Sequence, residues 1–193
     1  MEDSYPRFKI CVSGAAETGH CGEDSAKKGE ELGREIVRHR AVLVTGATTG
    51  FPLWAAKGAK GEGGMVMGVS PARTKREHIE AYKLPVDYHD AIFYTGAGYS
   101  GRNLLLTRMA DAVIVGCGRI GTINEFTIAF EDKKPIGVLE GDWETDEVVK
   151  LIVEKSYRAE EMKGKIIYSP DPKELIVKIM DLVEKEDAKN HNH

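Results

Sequence analysis

The stretch Ala112-Val113-Ile114-Val115-Gly116-Cys117-Gly118-Arg119-Ile120-Gly121-Thr122 places four apolar residues directly before a glycine-rich turn. An apolar run without polar alternation marks a strand buried on both faces, as in a parallel sheet. The same order recurs twice upstream. Phe8 to Val12 is followed by Ser13-Gly14-Ala15-Ala16-Glu17-Thr18-Gly19, and Ala41 to Thr45 by Gly46-Ala47-Thr48-Thr49-Gly50. Met65 to Val69, Ala91 to Tyr94, Pro135 to Leu139 and Ile166 to Tyr168 supply four more short strands. Between them lie helical patterns. Glu23 to Arg40 carries Ala26, Gly29, Gly33, Ile36 and Val37 on one face, with basic residues late, where the helix dipole favours them. Phe51 to Lys60 reads as a second helix. Asp171, Pro172 and Glu174 form a start signal for a last one, with Leu175, Ile176, Ile179, Leu182 and Val183 as its buried stripe.

Strands separated by helices give right-handed βαβ units. The expectation is therefore an α/β, doubly wound, Rossmann-like domain. Its sheet is mostly parallel, with about seven strands and helices on both faces. One domain is expected over residues 1–187, followed by a polar tail over 188–193 read as frayed.

Bulk properties narrow the partners. The 193 residues hold 27 Lys plus Arg against 31 Asp plus Glu, a net charge of -4 that opposes a nucleic-acid coat or an anionic-membrane binder. A small anionic ligand held by a local positive field stays open. No apolar run approaches the roughly 20 residues of a bilayer span. Met1-Glu2-Asp3-Ser4 lacks the features of a signal peptide, so the cytoplasm is expected. Cys11, Cys21 and Cys117 are odd in number and widely spaced, which argues against a disulfide framework. His20 and Cys21 are adjacent, and no third ligand is spaced for them, so neither a metal site nor a cofactor is expected. Cys117 reads as a small filler of its turn, and Arg73 to His78 as a solvated loop.

In an open parallel sheet, ligands bind beyond the carboxyl ends of the strands. Glycine there lets backbone N–H groups approach an anion, and a following helix N-terminus adds its dipole. Ser13, Gly14, Gly46, Gly50, Gly118, Arg119, Gly121 and Thr122 are accordingly the candidate phosphate and nucleotide ligands. A fourth small-residue loop runs from Gly96 to Gly101. Gly96–Gly101 and Gly116–Gly121 both match G-x-G-x-x-G, and Glu140 at the end of the next strand could hold a ribose, which gives a dinucleotide-binding alternative of the NAD type. Against it, Glu125 would repel a pyrophosphate if it faced the ligand. Thr122 and Glu125 also fit a helix capping box. Arg102, at a helix start, is misplaced for the dipole, and that misfit points it at an anion.

The segment Arg102 to Ala112, then Gly116 to Glu125, resembles the LOG (LONELY GUY) family, long labelled "possible lysine decarboxylase", with its Arg helix and GGxGTxxE motif. Cys11-Val12-Ser13-Gly14, the Gly46–Gly50 turn and Met67-Gly68-Val69-Ser70-Pro71 are similar to the family's N-terminal half. The resemblance implies a phosphoribohydrolase that cleaves the N-glycosidic bond of a nucleoside 5′-monophosphate. It implies Arg102 and Glu125 as the catalytic pair, and a homodimer or tetramer. The family's Pro-Gly-Gly is Gly116-Cys117-Gly118 here, with one extra residue before Gly121, and its Arg-Lys pair is Arg102-Asn103. These departures are similar to a branch that includes the molybdenum cofactor carrier protein. They imply, as the alternative, a non-catalytic carrier or sensor of a nucleotide or phosphorylated pterin.

Overall fold

A computed structural model describes residues 8–190. Seven strands, β1 (Lys9–Ser13), β2 (Val42–Thr45), β3 (Val66–Ser70), β4 (Ala91–Tyr94), β5 (Ala112–Val115), β6 (Ile136–Leu139) and β7 (Ile166–Ser169), form one sheet in the order β4-β3-β2-β1-β5-β6-β7. Every pairing is parallel. The helices are α1 (Ser25–Arg38), α2 (Phe51–Gly61), α3 (Lys75–Glu80), α4 (Gly98–Met109), α5 (Ile120–Glu131), α6 (Thr145–Lys155) and α7 (Pro172–Asn190).

The central strands send alternate residues into two separate cores, as the pleat requires. Ile10, Val12, Leu43, Ile114 and Leu139 pack with Leu32 and Ile36 of α1, Phe51 and Ala55 of α2, and Leu175 and Ile179 of α7. Cys11, Val44, Val113, Val115 and Val138 pack with Leu106 of α4, Phe126 and Phe130 of α5, and Val149 of α6. Helices thus cover both faces, which is why the strands read as unbroken apolar runs. On the first face α1 and α2 approach almost backbone to backbone. A methyl at Gly33 would lie 1.9 Å from the Ala55 carbonyl oxygen, and one at Gly58 equally close to that of Glu30.

Three local readings need correction. Arg73 to His78 is not a loop, because Thr74 Oγ1 accepts from the Glu77 N–H at 3.2 Å and caps α3. The Glu77 carboxylate in turn accepts from the Arg73 N–H at 2.7 Å. His78 is fully buried, its Nδ1 2.8 Å from Ser70 Oγ and its Nε2 2.8 Å from the Pro85 carbonyl. The helix α6 had no counterpart in the sequence reading. Of the expected tail, residues 188–190 complete α7, and 191–193, like the acidic stretch 1–4, lie outside the described residues. The start of α7 is as expected, with Asp171 Oδ1 accepting from the Glu174 N–H at 2.7 Å. Among the described residues, no helix is long and apolar enough to cross a membrane.

Candidate functional site

The sheet order reverses direction at β1, whose neighbours are β2 and β5. Parallel strands flanking such a reversal splay their following loops apart and leave a crevice at their carboxyl ends. A cavity of about 160 Å³ occupies it, lined by Ser13, Gly14, Gly46, Arg102, Arg119, Gly121, Thr122 and Glu125, among others. Eight of the expected site residues, drawn from four segments of chain, therefore meet at one place. Gly118 instead borders a wider neighbouring cleft of about 750 Å³, together with His20, Arg119, Ile120, Asp142, Trp143 and Thr145. Gly50 lines neither. Its φ of 70° and a Cβ position 2.2 Å from the Ala15 carbonyl oxygen make it a turn residue that only glycine fits.

Glu125 sits in the second turn of α5 and is 5% exposed. It does not cap the helix: α5 begins at Ile120, after Arg119, with no side-chain capping bond. Its carboxylate accepts a short hydrogen bond from Ser13 Oγ and faces the Arg102 guanidinium, Nη1 to Oε1, at 3.8 Å. Burial pushes the Glu125 carboxyl above its ordinary value, and Arg102 and the Ser13 bond oppose that push. The Asn103 amide lies 2.9 Å from Glu125 Oε1 and 3.0 Å from the Tyr99 carbonyl, and with its nitrogen turned toward them it adds a second hydrogen-bond donor to the carboxylate.

Arg102 is 8% exposed and belongs to the first half of α4. Its guanidinium lies across the backbone of Gly46, where a Cβ would come 1.5 Å from Nη1, and 6.0 Å from the Tyr99 ring centroid. The glycine after β2 therefore makes room for a cation. Intrahelical bonding in α5 starts with the Ile123 N–H to the Arg119 carbonyl, 3.1 Å. The N–H groups of Ile120, Gly121 and Thr122 precede it and carry the positive end of the helix dipole beside the cavity. Arg119 stands at the rim in an exposed ion pair with Glu17, 2.5 Å.

The turn after β5 is fixed from three sides. The Ala15 N–H donates to the Cys117 carbonyl at 2.8 Å, and the Gly118 N–H to Thr145 Oγ1 at 2.8 Å. Thr145 Oγ1 also donates to the Gly118 carbonyl at 3.1 Å. The third restraint is covalent and corrects the sequence reading: Cys21 and Cys117 are joined by a disulfide, with Cα atoms 5.9 Å apart across 96 residues of chain. Cys117 is fully buried and is a crosslink as well as a filler. Cys11 remains a free buried thiol, its ionisation opposed by burial and by Glu125.

Asn103, Thr145 and Tyr99 escaped the sequence reading. Asn103 was visible as the departure from the family's Arg-Lys pair; Thr145 carried no signal, because α6 itself was not foreseen. Glu140, on which the dinucleotide alternative rests, accepts from Lys150 Nζ at 2.6 Å and lines neither of these two cavities.

Comparison with known proteins gives four relationships. The sequence profile of the SLOG cluster4 family matches residues 7–176. The cytokinin riboside 5′-monophosphate phosphoribohydrolase LOG of Oryza sativa subsp. japonica is 28% identical, over 92% of this chain and 75% of that protein. An uncharacterised protein of Archaeoglobus fulgidus is 30% identical, over 68% and 82%. Among solved structures, the molybdenum cofactor carrier protein of Chlamydomonas reinhardtii superimposes with a TM-score of 0.71 and 26% identity, covering 92% of this chain and 99% of that one.

Proposed function

The chain belongs to the SLOG cluster4 family, and from that premise we propose that it is a phosphoribohydrolase, which cleaves a nucleoside 5′-monophosphate into free base and ribose 5-phosphate. One observation carries the reading. A buried carboxylate, Glu125, stands beside a helix N-terminus suited to phosphate, in one cavity, with a guanidinium at 3.8 Å.

The chemistry follows from that arrangement. The 5′-phosphate binds at the N-terminus of α5, where Gly121 and Thr122 let it approach the backbone. Arg102 contributes a planar fork for phosphate or ribose oxygens. As the C1′–N bond breaks, its electron pair goes to the base and positive charge develops on the ribose. A carboxylate at Glu125 stabilises that charge and orients a water toward C1′. The water oxygen bonds C1′, its proton passes to Glu125, and the base nitrogen is protonated in turn. A carboxyl raised by burial is suited to both halves of that proton transfer.

The proposal includes a homodimer or tetramer, supported by exposed apolar side chains: Phe93 of the edge strand β4, and Leu104 and Leu105 on the helix that carries Arg102.

The likeness to the molybdenum cofactor carrier protein favours a second reading, a non-catalytic carrier of a phosphorylated, nucleotide-like ligand. Base release from a panel of nucleoside 5′-monophosphates separates the two, with wild type beside Glu125→Ala. Release by the wild type that collapses in the variant, with ligand binding retained in both, supports the hydrolase. Binding without release from any member of the panel refutes it and leaves the carrier.

A further inference from the structure

The disulfide sits against a third group that ligates metals. His20 Nε2 lies 3.6 Å from Cys117 Sγ, and the ligating atoms of His20, Cys21 and Cys117 all fall within 4.8 Å of one another. A tetrahedral zinc, with Zn–S near 2.3 Å and Zn–N near 2.0 Å, holds a sulfur and a nitrogen about 3.6 Å apart. The His20–Cys117 separation therefore already matches a shared ion. The same geometry sets two thiolate sulfurs about 3.8 Å apart, so the pair must part by roughly 2 Å once the bond between them is cut. Cys21 lies in the loop between β1 and α1, so small side-chain rotations there cover that distance.

The surroundings permit the exchange. The contact that His20 Nε2 gives up is to the Gly118 carbonyl at 3.2 Å, and that carbonyl keeps the Thr145 hydroxyl at 3.1 Å. His20 is exposed and borders the 750 Å³ cleft, so an ion has an entry path.

We infer that Cys21, Cys117 and His20 form a redox-gated site for a zinc-like divalent ion: closed as the disulfide, and open when a dithiol or phosphine reductant converts the pair to thiols. Reduction delivers two electrons and two protons to the sulfurs, and the reductant is oxidised. Metal binding then releases both thiol protons, since thiolates are the ligands, and His20 binds as the neutral imidazole. Two sulfurs and one nitrogen leave a fourth position for water or a ligand group, the stoichiometry of sites where zinc meets a substrate. The site is next to the β5 turn and independent of whether Glu125 is catalytic.

The test uses the full chain, reduced anaerobically with a phosphine and desalted, then titrated with Co²⁺ as the spectroscopic probe and with Zn²⁺ against a chromogenic chelator. The expected result is thiolate-to-cobalt charge-transfer absorption saturating at one ion per reduced chain, and none for the oxidised chain. His20→Ala, at an exposed position that leaves the fold intact, weakens binding at least tenfold, by analogy with the 10- to 100-fold losses seen for supporting groups alone. Cys21→Ser abolishes the charge-transfer band, and Cys11→Ala leaves it unchanged. Reduced wild type and His20→Ala binding equally, or no charge transfer in a reduced chain with unchanged circular dichroism, would overturn the inference.

Discussion

Removing the Arg102 guanidinium while keeping its bulk, as Arg102→Met, isolates the electrostatics of the candidate site. At the observed 3.8 Å, a full ion pair in a medium of effective dielectric near 20 is attractive by about 4 kcal/mol. Truncating one member of a buried pair costs about 3–5 kcal/mol, because the other charge is left without its partner. Glu125 keeps the Ser13 hydroxyl and Asn103, so the lower end, about 3 kcal/mol, is expected. For a chain of this size that lowers Tm by about 6–12 °C.

The loss must also depend on pH in a defined direction. The Glu125 carboxyl is already raised in the folded state by burial, so the native protein holds this proton more tightly than the unfolded chain does. That contribution is complete below the ordinary value of a glutamate and is lost as pH climbs through the raised value. Without Arg102 the folded value rises further. The variant should therefore approach wild-type stability in acid and fall away from it toward neutral and alkaline pH. The assay is thermal unfolding by circular dichroism across pH for wild type, Arg102→Met, Glu125→Gln and the double variant. The double variant should recover most of the loss, since a neutral amide needs no cation. A loss that is flat with pH, or a double variant no more stable than Arg102→Met, would refute the reasoning.

Other outcomes follow from neighbouring features. Gly33→Ala drives a methyl into the Ala55 carbonyl at 1.9 Å, and overpacking of this kind should cost about 1–3 kcal/mol, read as a lower midpoint in urea with an unchanged slope. Thr145→Val removes both hydroxyl contacts to Gly118; phosphate-bearing ligands should bind about tenfold more weakly in a direct titration, roughly the worth of one or two net hydrogen bonds. Glu17→Gln releases Arg119 from an exposed pair and should tighten anion binding by no more than about fivefold, since such pairs are worth under 1 kcal/mol; a weaker affinity would show that Glu17 itself contacts ligand.

The sequence made the central sheet legible because its strands are buried on both faces and punctuated by glycine. Unbroken runs such as Ala112–Val115 leave little alternative in a chain of alternating elements. Arg102 was legible because a cation near a helix start runs against the dipole, and such misfits mark sites. Glu125 fits local preference and was legible through the resemblance of Gly121-Thr122-Ile123-Asn124-Glu125 to the family's GTxxE motif. What stayed hidden was set by long-range geometry. The Cys21–Cys117 crosslink joins two loops that meet only after β1 and β5 pair, and no spacing reveals which loops will touch. His20 joins that pair for the same reason. The helix α3 was different, because its signal was present: Thr74-x-x-Glu77 has the spacing of a capping box, hidden by the basic residues between them.

The space over Gly46 and the guanidinium that fills it amount to one part made of two residues 56 positions apart. Altering either half alone disturbs the other. A side chain at position 46 evicts the cation, and a smaller residue at 102 leaves an empty socket lined by backbone beside a carboxylate that has lost its counter-charge. Any redesign of ligand preference at this edge of the sheet must treat positions 46 and 102 as a single choice. Libraries that vary them independently will return mostly broken sites, whereas those that couple alanine at 46 to a shorter cation at 102 sample alternatives the backbone can hold.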